Sequence, residues 1–186
     1  MAPIMNVNEN IYLIGFMGAG KSTVGLLLAE RTDRIYVDTD QLIVEQVERS
    51  IAAIFADNGE KYFRDLESEI IKEISRQEGL VVALGGGAPI RRRNWGRIER
   101  TGVSVYLMAK PRTLLERIET EGEGREERPL LAGLSRQEKL ARIEEMLYQR
   151  APYYMQATLI VPNEHRAPEM VVDEILSGLA ELYGED

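Results

Sequence analysis

Residues 15–22 read Gly15-Phe16-Met17-Gly18-Ala19-Gly20-Lys21-Ser22, a match to GxxxxGK[ST]. This feature narrows the possible folds most, because such a loop works only where a strand delivers it and a helix leaves it. The flanks meet that condition. Ile11-Tyr12-Leu13-Ile14 is a short apolar run ending at a glycine and reads as a buried strand. Residues 21–31 follow, with Val24, Leu27 and Leu28 at helical spacing. In that context the glycines let the backbone wrap closely, so that the N–H groups of Gly18, Ala19, Gly20, Lys21, Ser22 and Thr23 point at phosphate oxygens. Lys21 can reach the β- and γ-phosphates of ATP, and the Ser22 hydroxyl can bind Mg²⁺. A chance glycine-rich turn is the alternative, and the strand–loop–helix context argues against it.

Beyond the loop, strand and helix patterns alternate. Further strands are expected at 35–37, 80–84, 103–108 and 158–161. Helices are expected at 41–49, 50–55 and 60–77, from Pro111 onward, from Ser135 to about Gln149 under a Ser135/Glu138 capping box, and from about Pro168 to Leu182. Such alternation predicts an α/β fold: a five-stranded parallel sheet covered on both faces. The length of 186 residues favours one domain spanning 1–186. One stretch, roughly 119–134, is rich in glycine and charge, lacks periodicity and reads as a mobile lid.

Charge and composition bear on partners. With 23 basic and 31 acidic residues the net charge is −8, which disfavours a broad nucleic-acid surface. Small anions can then be bound only where the few cations are concentrated in one pocket. There are no cysteines, hence no disulfides or thiolate metal sites. Residues 1–10 lack the basic and apolar regions of a secretory leader, and the apolar runs are too short to span a bilayer. The expectation is a cytoplasmic monomer that engages neither membrane nor nucleic acid.

Several other residues invite a chemical reading. Asp38 closes the second strand and reads as an acid that supports Mg²⁺ or its waters. Asp40 either meets a hydroxyl that attacks ATP or merely caps the next helix. Arg64 and Glu67 are neighbours on one helix: a surface ion pair, or an arginine fork held ready for a substrate carboxylate. Gly85-Gly86-Gly87 follows a strand and is either a tight turn or backbone lying against a ligand at the sheet edge. Arg128 ends the lid-like stretch and, if it moves over the nucleotide, can offset charge in phosphoryl transfer. Arg150, near its helix end, suits the helix dipole on its own account. His165, the only histidine, reads as exposed, and Arg91-Arg92-Arg93 as a solvated helix face.

Taken in order, Gly15 to Thr23, Asp38-Thr39-Asp40, Ser50-Ile51-Ala52 with Ile54-Phe55, Gly59-Glu60 with Phe63-Arg64 and Glu67, the three glycines, Arg128-Pro129-Leu130-Leu131 and Arg150-Ala151-Pro152-Tyr153-Tyr154 resemble the shikimate kinase family. The resemblance spans about residues 10–180. It implies a three-layer α/β/α P-loop kinase of the nucleoside-monophosphate kinase type, transferring phosphate from ATP to the 3-hydroxyl of shikimate with Mg²⁺. It implies that Asp40, Arg64, Arg150 and the Gly86–Gly87 backbone hold shikimate, with Phe55 and Phe63 as walls, and that Lys21, Asp40 and Arg128 carry the catalysis. Ser22 and Asp38 would hold the metal, Asp38 through water. The adenine contact falls to Arg117 or Arg125, and to Arg166 with Pro168. Another sugar-acid kinase, such as a gluconate kinase, is the enzymatic alternative; a nucleotide-binding module without turnover is the non-enzymatic one.

Overall fold

A computed structural model describes residues 9–122 and 128–184. Its strands are β1 (Asn10–Ile14), β2 (Ile35–Asp38), β3 (Leu80–Ala83), β4 (Gly102–Met108) and β5 (Leu159–Pro162). They form one parallel five-stranded sheet in the order β2-β3-β1-β4-β5. The helices are α1 (Lys21–Thr32), α2 (Thr39–Val47), α3 (Ile51–Ile74), α4 (Arg92–Thr101), α5 (Pro111–Gly122), α6 (Arg136–Tyr154) and α7 (Pro168–Leu182). A short 3-10 turn, Ala88–Ile90, joins the triple glycine to α4.

The three layers follow from the period-2 alternation of strand side chains. Ile11, Leu13, Val81, Val105 and Leu107 face a core shared with α1, α5, α6 and α7. Tyr12, Ile14, Val82 and Tyr106 face the opposite core, shared with α2, α3 and α4. Both faces are therefore dry, as a parallel sheet requires. The two edge strands depart from this, with Ile35 of β2 69% and Ile160 of β5 37% exposed.

Register brings the motifs together. Leu13 of β1 pairs with Ala83 of β3, and Ala83 pairs in turn with Asp38 of β2. The phosphate-type loop, the triple glycine and the Asp38–Asp40 segment thus leave three adjacent strands at the same end. Ligands of open α/β sheets bind at this end. The glycines emerge from an interior strand, so they lie at the carboxyl end of the sheet and not along its lateral edge.

Four local expectations are revised. Asp38, not Asp40, caps α2: its Oδ1 accepts from the N–H groups of Asp40 (2.9 Å) and Gln41 (3.3 Å). The expected helices 50–55 and 60–77 form one element interrupted at Gly59, whose φ of 79° and ψ of 169° are non-helical. The helix expected to stop near Gln149 continues through Pro152 to Tyr154. Tertiary contacts outweigh the proline there, since Tyr154 is fully buried and Arg150, one turn earlier, nearly so. Arg91 precedes α4 and is drawn inward, its Nη1 donating to the Arg64 carbonyl (3.0 Å) and Asp65 (2.6 Å); Arg92 and Arg93 are exposed as expected. The Ser135/Glu138 capping box is present, and His165 is exposed. Residues 123–127 of the lid-like stretch lie outside the described residues. Its C-terminal side ends in a turn closed by Leu131 N–H onto the Arg128 carbonyl (2.9 Å), with Leu131 in the core. Among the described residues no helix is long and apolar enough to cross a membrane.

Candidate active site

The loop after β1 is built for close approach. Gly15, Gly18 and Gly20 have φ of 147°, 77° and 84°, conformations that side chains resist. A Cβ on Gly15 would lie 2.8 Å from the Leu107 carbonyl oxygen. The Ala19 N–H closes the loop onto the Phe16 carbonyl (3.1 Å). That amide is an internal brace, whereas Lys21, Ser22 and Thr23 open α1 with first-turn amides that have no intrahelical acceptor. Lys21 Nζ folds over the loop and donates to the carbonyls of Gly15 (2.9 Å) and Phe16 (3.0 Å). Burial lowers its pKa to about 8, against the raising influence of Asp40 and Asp38.

Ser22 Oγ donates to Asp38 Oδ2 (3.3 Å), so the hydroxyl and carboxylate assigned to a metal from sequence do meet. They are hard oxygen donors of the kind Mg²⁺ prefers. Asp40 lies one step deeper. Its Oδ1 is buried without a hydrogen-bond partner among the described residues, as is Glu67 Oε2. Burial first, then Asp38, raises the Asp40 pKa, with Lys21, Arg64 and Arg128 opposing. Glu67 is pushed up to about 7 by burial, with Arg64 opposing and Asp40 adding to the rise. Two shielded carboxylates with unused oxygens point to a polar ligand between the loop and α3.

Arg64 and Glu67 are no surface pair. Arg64 Nη1 donates to Glu67 Oε1 (3.0 Å), and the two side chains are 13% and 0% exposed. Arg64 also reaches Glu60 (3.2 Å) and stacks its guanidinium 5.2 Å from the Phe63 ring centre. The triple glycine explains the fit. A Cβ on Gly87 would sit 2.4 Å from the Arg64 guanidinium carbon. One on Gly85 would sit 2.4 Å from Glu67 Oε1 and 2.7 Å from Asp40 Oδ1. Arg150 arrives from α6, 6% exposed, with its guanidinium 5.3 Å over the Phe16 ring and Nη1 3.2 Å from where a Gly86 Cβ would be. Its place is thus set by this contact and not by the helix end.

Asp40, Arg64, the triple glycine and Arg150 line one cavity of about 370 Å³, together with Phe55, Phe63, Arg128 and Leu130. A second cavity, lined by Gly18, Gly20, Lys21, Ser22, Thr23 and Asp38, adjoins it; Asp40 and Arg128 face both. A third hollow beside Gly20 is lined by Arg117, Asn163, Arg166 and Pro168.

A family model described as shikimate kinase matches residues 17–180. The chain belongs to the shikimate kinase family. A shikimate kinase of Gloeobacter violaceus is 45% identical over 177 residues, covering 95% of this chain and 96% of that protein. One of Symbiobacterium thermophilum is 40% identical, covering 92% and 97%. A solved shikimate kinase from Acinetobacter baumannii in complex with shikimate is 31% identical with a TM-score of 0.88, covering 96% of each chain. A gluconokinase from Sinorhizobium meliloti shares the fold at 19% identity and TM-score 0.64, covering 95% and 94%.

Within this shikimate kinase scaffold, the adenine-side candidates separate. Arg166 is tied to α7 and β5 by Glu174 and by the carbonyls of Pro162 (3.0 Å) and Met170 (3.4 Å). Arg117 lies against the nucleotide loop, donating to the carbonyls of Asn163 (2.8 Å) and Gly18 (3.5 Å). Arg125 lies outside the described residues. Supporting residues without a local sequence signal also appear. Thr39 Oγ1 donates to the Ala83 carbonyl (3.3 Å) and accepts from Gly85 N–H (2.9 Å), tying α2 to the triple glycine. Tyr154 donates to the Gly86 carbonyl, and burial raises its pKa to about 12. Each partner is far away in sequence, so no spacing could have disclosed the contact.

Proposed function

We propose that this protein phosphorylates the 3-hydroxyl of shikimate with ATP, yielding shikimate 3-phosphate in the route to chorismate and the aromatic amino acids. One observation carries the reading: the cavity holding Asp40, Arg64, Arg150 and the triple glycine opens onto the phosphate loop through Asp40 and Arg128. Two arginines suit a carboxylate. The apolar walls Phe55 and Phe63 suit a carbon ring, and the unused Asp40 oxygen suits a hydroxyl.

In this reading Arg64, preorganised by Glu67, and Arg150 clamp the shikimate carboxylate, while the Gly86 and Gly87 backbone bears on the ring. Asp40 orients the 3-hydroxyl toward the γ-phosphorus. As the new P–O bond forms and the bond to the β-phosphate oxygen breaks, the hydroxyl proton passes to Asp40, whose raised pKa favours accepting it. Lys21 and Arg128 offset charge on the transferring group, and the amides of Gly18, Gly20, Lys21, Ser22 and Thr23 seat the phosphates. Ser22 and Asp38 suit Mg²⁺, which when bound would neutralise phosphate charge. Arg166, with Pro168, borders the hollow assigned to adenine, and the segment near 119–134 acts as a lid on a single domain. The reading places a monomer in the cytoplasm.

The test is ADP release measured with ATP and Mg²⁺, with and without shikimate, and with gluconate in its place. Strong stimulation by shikimate alone is expected. No stimulation by shikimate would overturn the assignment.

A further inference from the structure

Asn163 lies just beyond β5 and is 4% exposed. Three bonds hold it. Its backbone N–H donates to the Met108 carbonyl (2.7 Å), and its carbonyl accepts from Arg117 Nη2 (2.8 Å). Its side-chain Nδ2 donates to the carbonyl of Ala19 in the phosphate loop (2.7 Å). The orientation of this amide is dictated by chemistry, because its oxygen in the same place would face another acceptor.

That last bond acts on the next amide along. The Ala19 carbonyl and the Gly20 N–H belong to one peptide, and the described residues contain no cis bond. In a trans peptide the two groups point in opposite directions. Drawing the Ala19 oxygen toward Asn163 therefore aims the Gly20 N–H away from it. Gly20 borders both the hollow that Asn163 lines and the cavity that Lys21 and Ser22 line. Gly20 itself is in a left-handed conformation (φ 84°, ψ 17°), which the loop must be made to keep. A Cβ there would come within 3.1 Å of Asn163 Nδ2, so side chain and glycine are fitted to one another. Arg117 braces the same junction through the Gly18 carbonyl (3.5 Å).

We propose that Asn163 is a positioning residue for nucleotide binding, which sets the Ala19–Gly20 peptide so that the Gly20 N–H meets the phosphates. It also joins the phosphate loop to the segment bordering the hollow assigned to adenine. The inference rests on the reading of that loop as the ATP site. Nothing in the local sequence marks the residue, since its partner lies 144 positions away.

Asn163→Asp and Asn163→Leu both keep side-chain bulk and donate nothing to Ala19. Calorimetry with ADP and, separately, with shikimate tests the proposal, alongside the melting temperature of each variant. Both variants should weaken ADP about tenfold or more, because the Ala19 carbonyl loses its donor and the loop its brace. Shikimate affinity should stay within about twofold of wild type, because Asn163 does not line that cavity. ADP affinity within about twofold of wild type in a folded variant overturns the proposal. So does a parallel fall in shikimate affinity and melting temperature, which marks a purely structural role. If one variant fails to fold, the other carries the comparison. Wild-type protein that bound no ADP would overturn the ATP reading itself, and this inference with it.

Discussion

Lys21 shows how a single residue is tuned by its surroundings. It sits among two aspartates that favour its charge and two arginines that oppose it; burial, reinforced by the arginines, outweighs the aspartates and brings its pKa to about 8. The charged form is the one that attracts phosphate. Deprotonation as pH rises through about 8 therefore removes that attraction, while ADP, whose terminal phosphate is already mostly ionised at about pH 7, gains little further charge. We expect ADP affinity to fall about tenfold between about pH 7 and pH 9, and Lys21→Met to abolish most of that slope. Calorimetric titration at several pH values checks it; an equal slope in Lys21→Met excludes Lys21 as its source. The sequence motif located this lysine and its phosphate partner. Its shifted pKa was not legible there, because the groups that set it come from the Asp38–Asp40 segment, the lid side and α6.

At the scale of elements, the junction of α3 with the triple glycine determines how the arginine fork is held. Gly87 has ordinary helical-region angles (φ −96°, ψ −10°), so alanine is tolerated by the backbone. Its Cβ would nonetheless lie 2.4 to 2.5 Å from three atoms of the Arg64 guanidinium. The arginine, being the far end of a flexible side chain, must move aside, and the fold need not. Gly87→Ala should thus weaken shikimate about tenfold or more and leave ADP affinity and melting temperature nearly unchanged. Binding and melting measurements decide this; a large loss of stability with shikimate affinity retained would contradict it. From sequence, the three glycines were open to reading as a tight turn or as a ligand surface. Packing shows a further reason for their smallness: each leaves room for a side chain, Glu67 and Asp40 at Gly85, Arg150 at Gly86 and Arg64 at Gly87.

Over the whole molecule, the two main cavities are not independent. Met17, Asp40, Val44, Ile51 and Arg128 line both, and these residues come from the phosphate loop, α2, α3 and the lid side. A ligand that settles these shared walls lowers the cost of binding the second. Saturating shikimate should therefore tighten ADP about fivefold or more, and ADP should tighten shikimate by the same factor. Arg128→Ala should shrink that coupling. Two calorimetric titrations, each ligand with and without the other, measure it, and strictly independent affinities would refute it. The alternation of apolar runs with helical patterns determined the α/β class, and the GxxxxGKS loop determined where a nucleotide must sit, since both are written in residues close together along the chain. The Asp38, Arg64, triple-glycine and Arg150 landmarks pointed to the family for the same reason: each is a short local pattern. Only the tertiary structure decided that Arg64 is buried against the triple glycine, that α6 runs through Pro152 to place Arg150 and Tyr154, and that Asn163 braces Ala19. These depend on strand order and register, which bring together groups up to 144 positions apart, and no local spacing encodes a contact of that range.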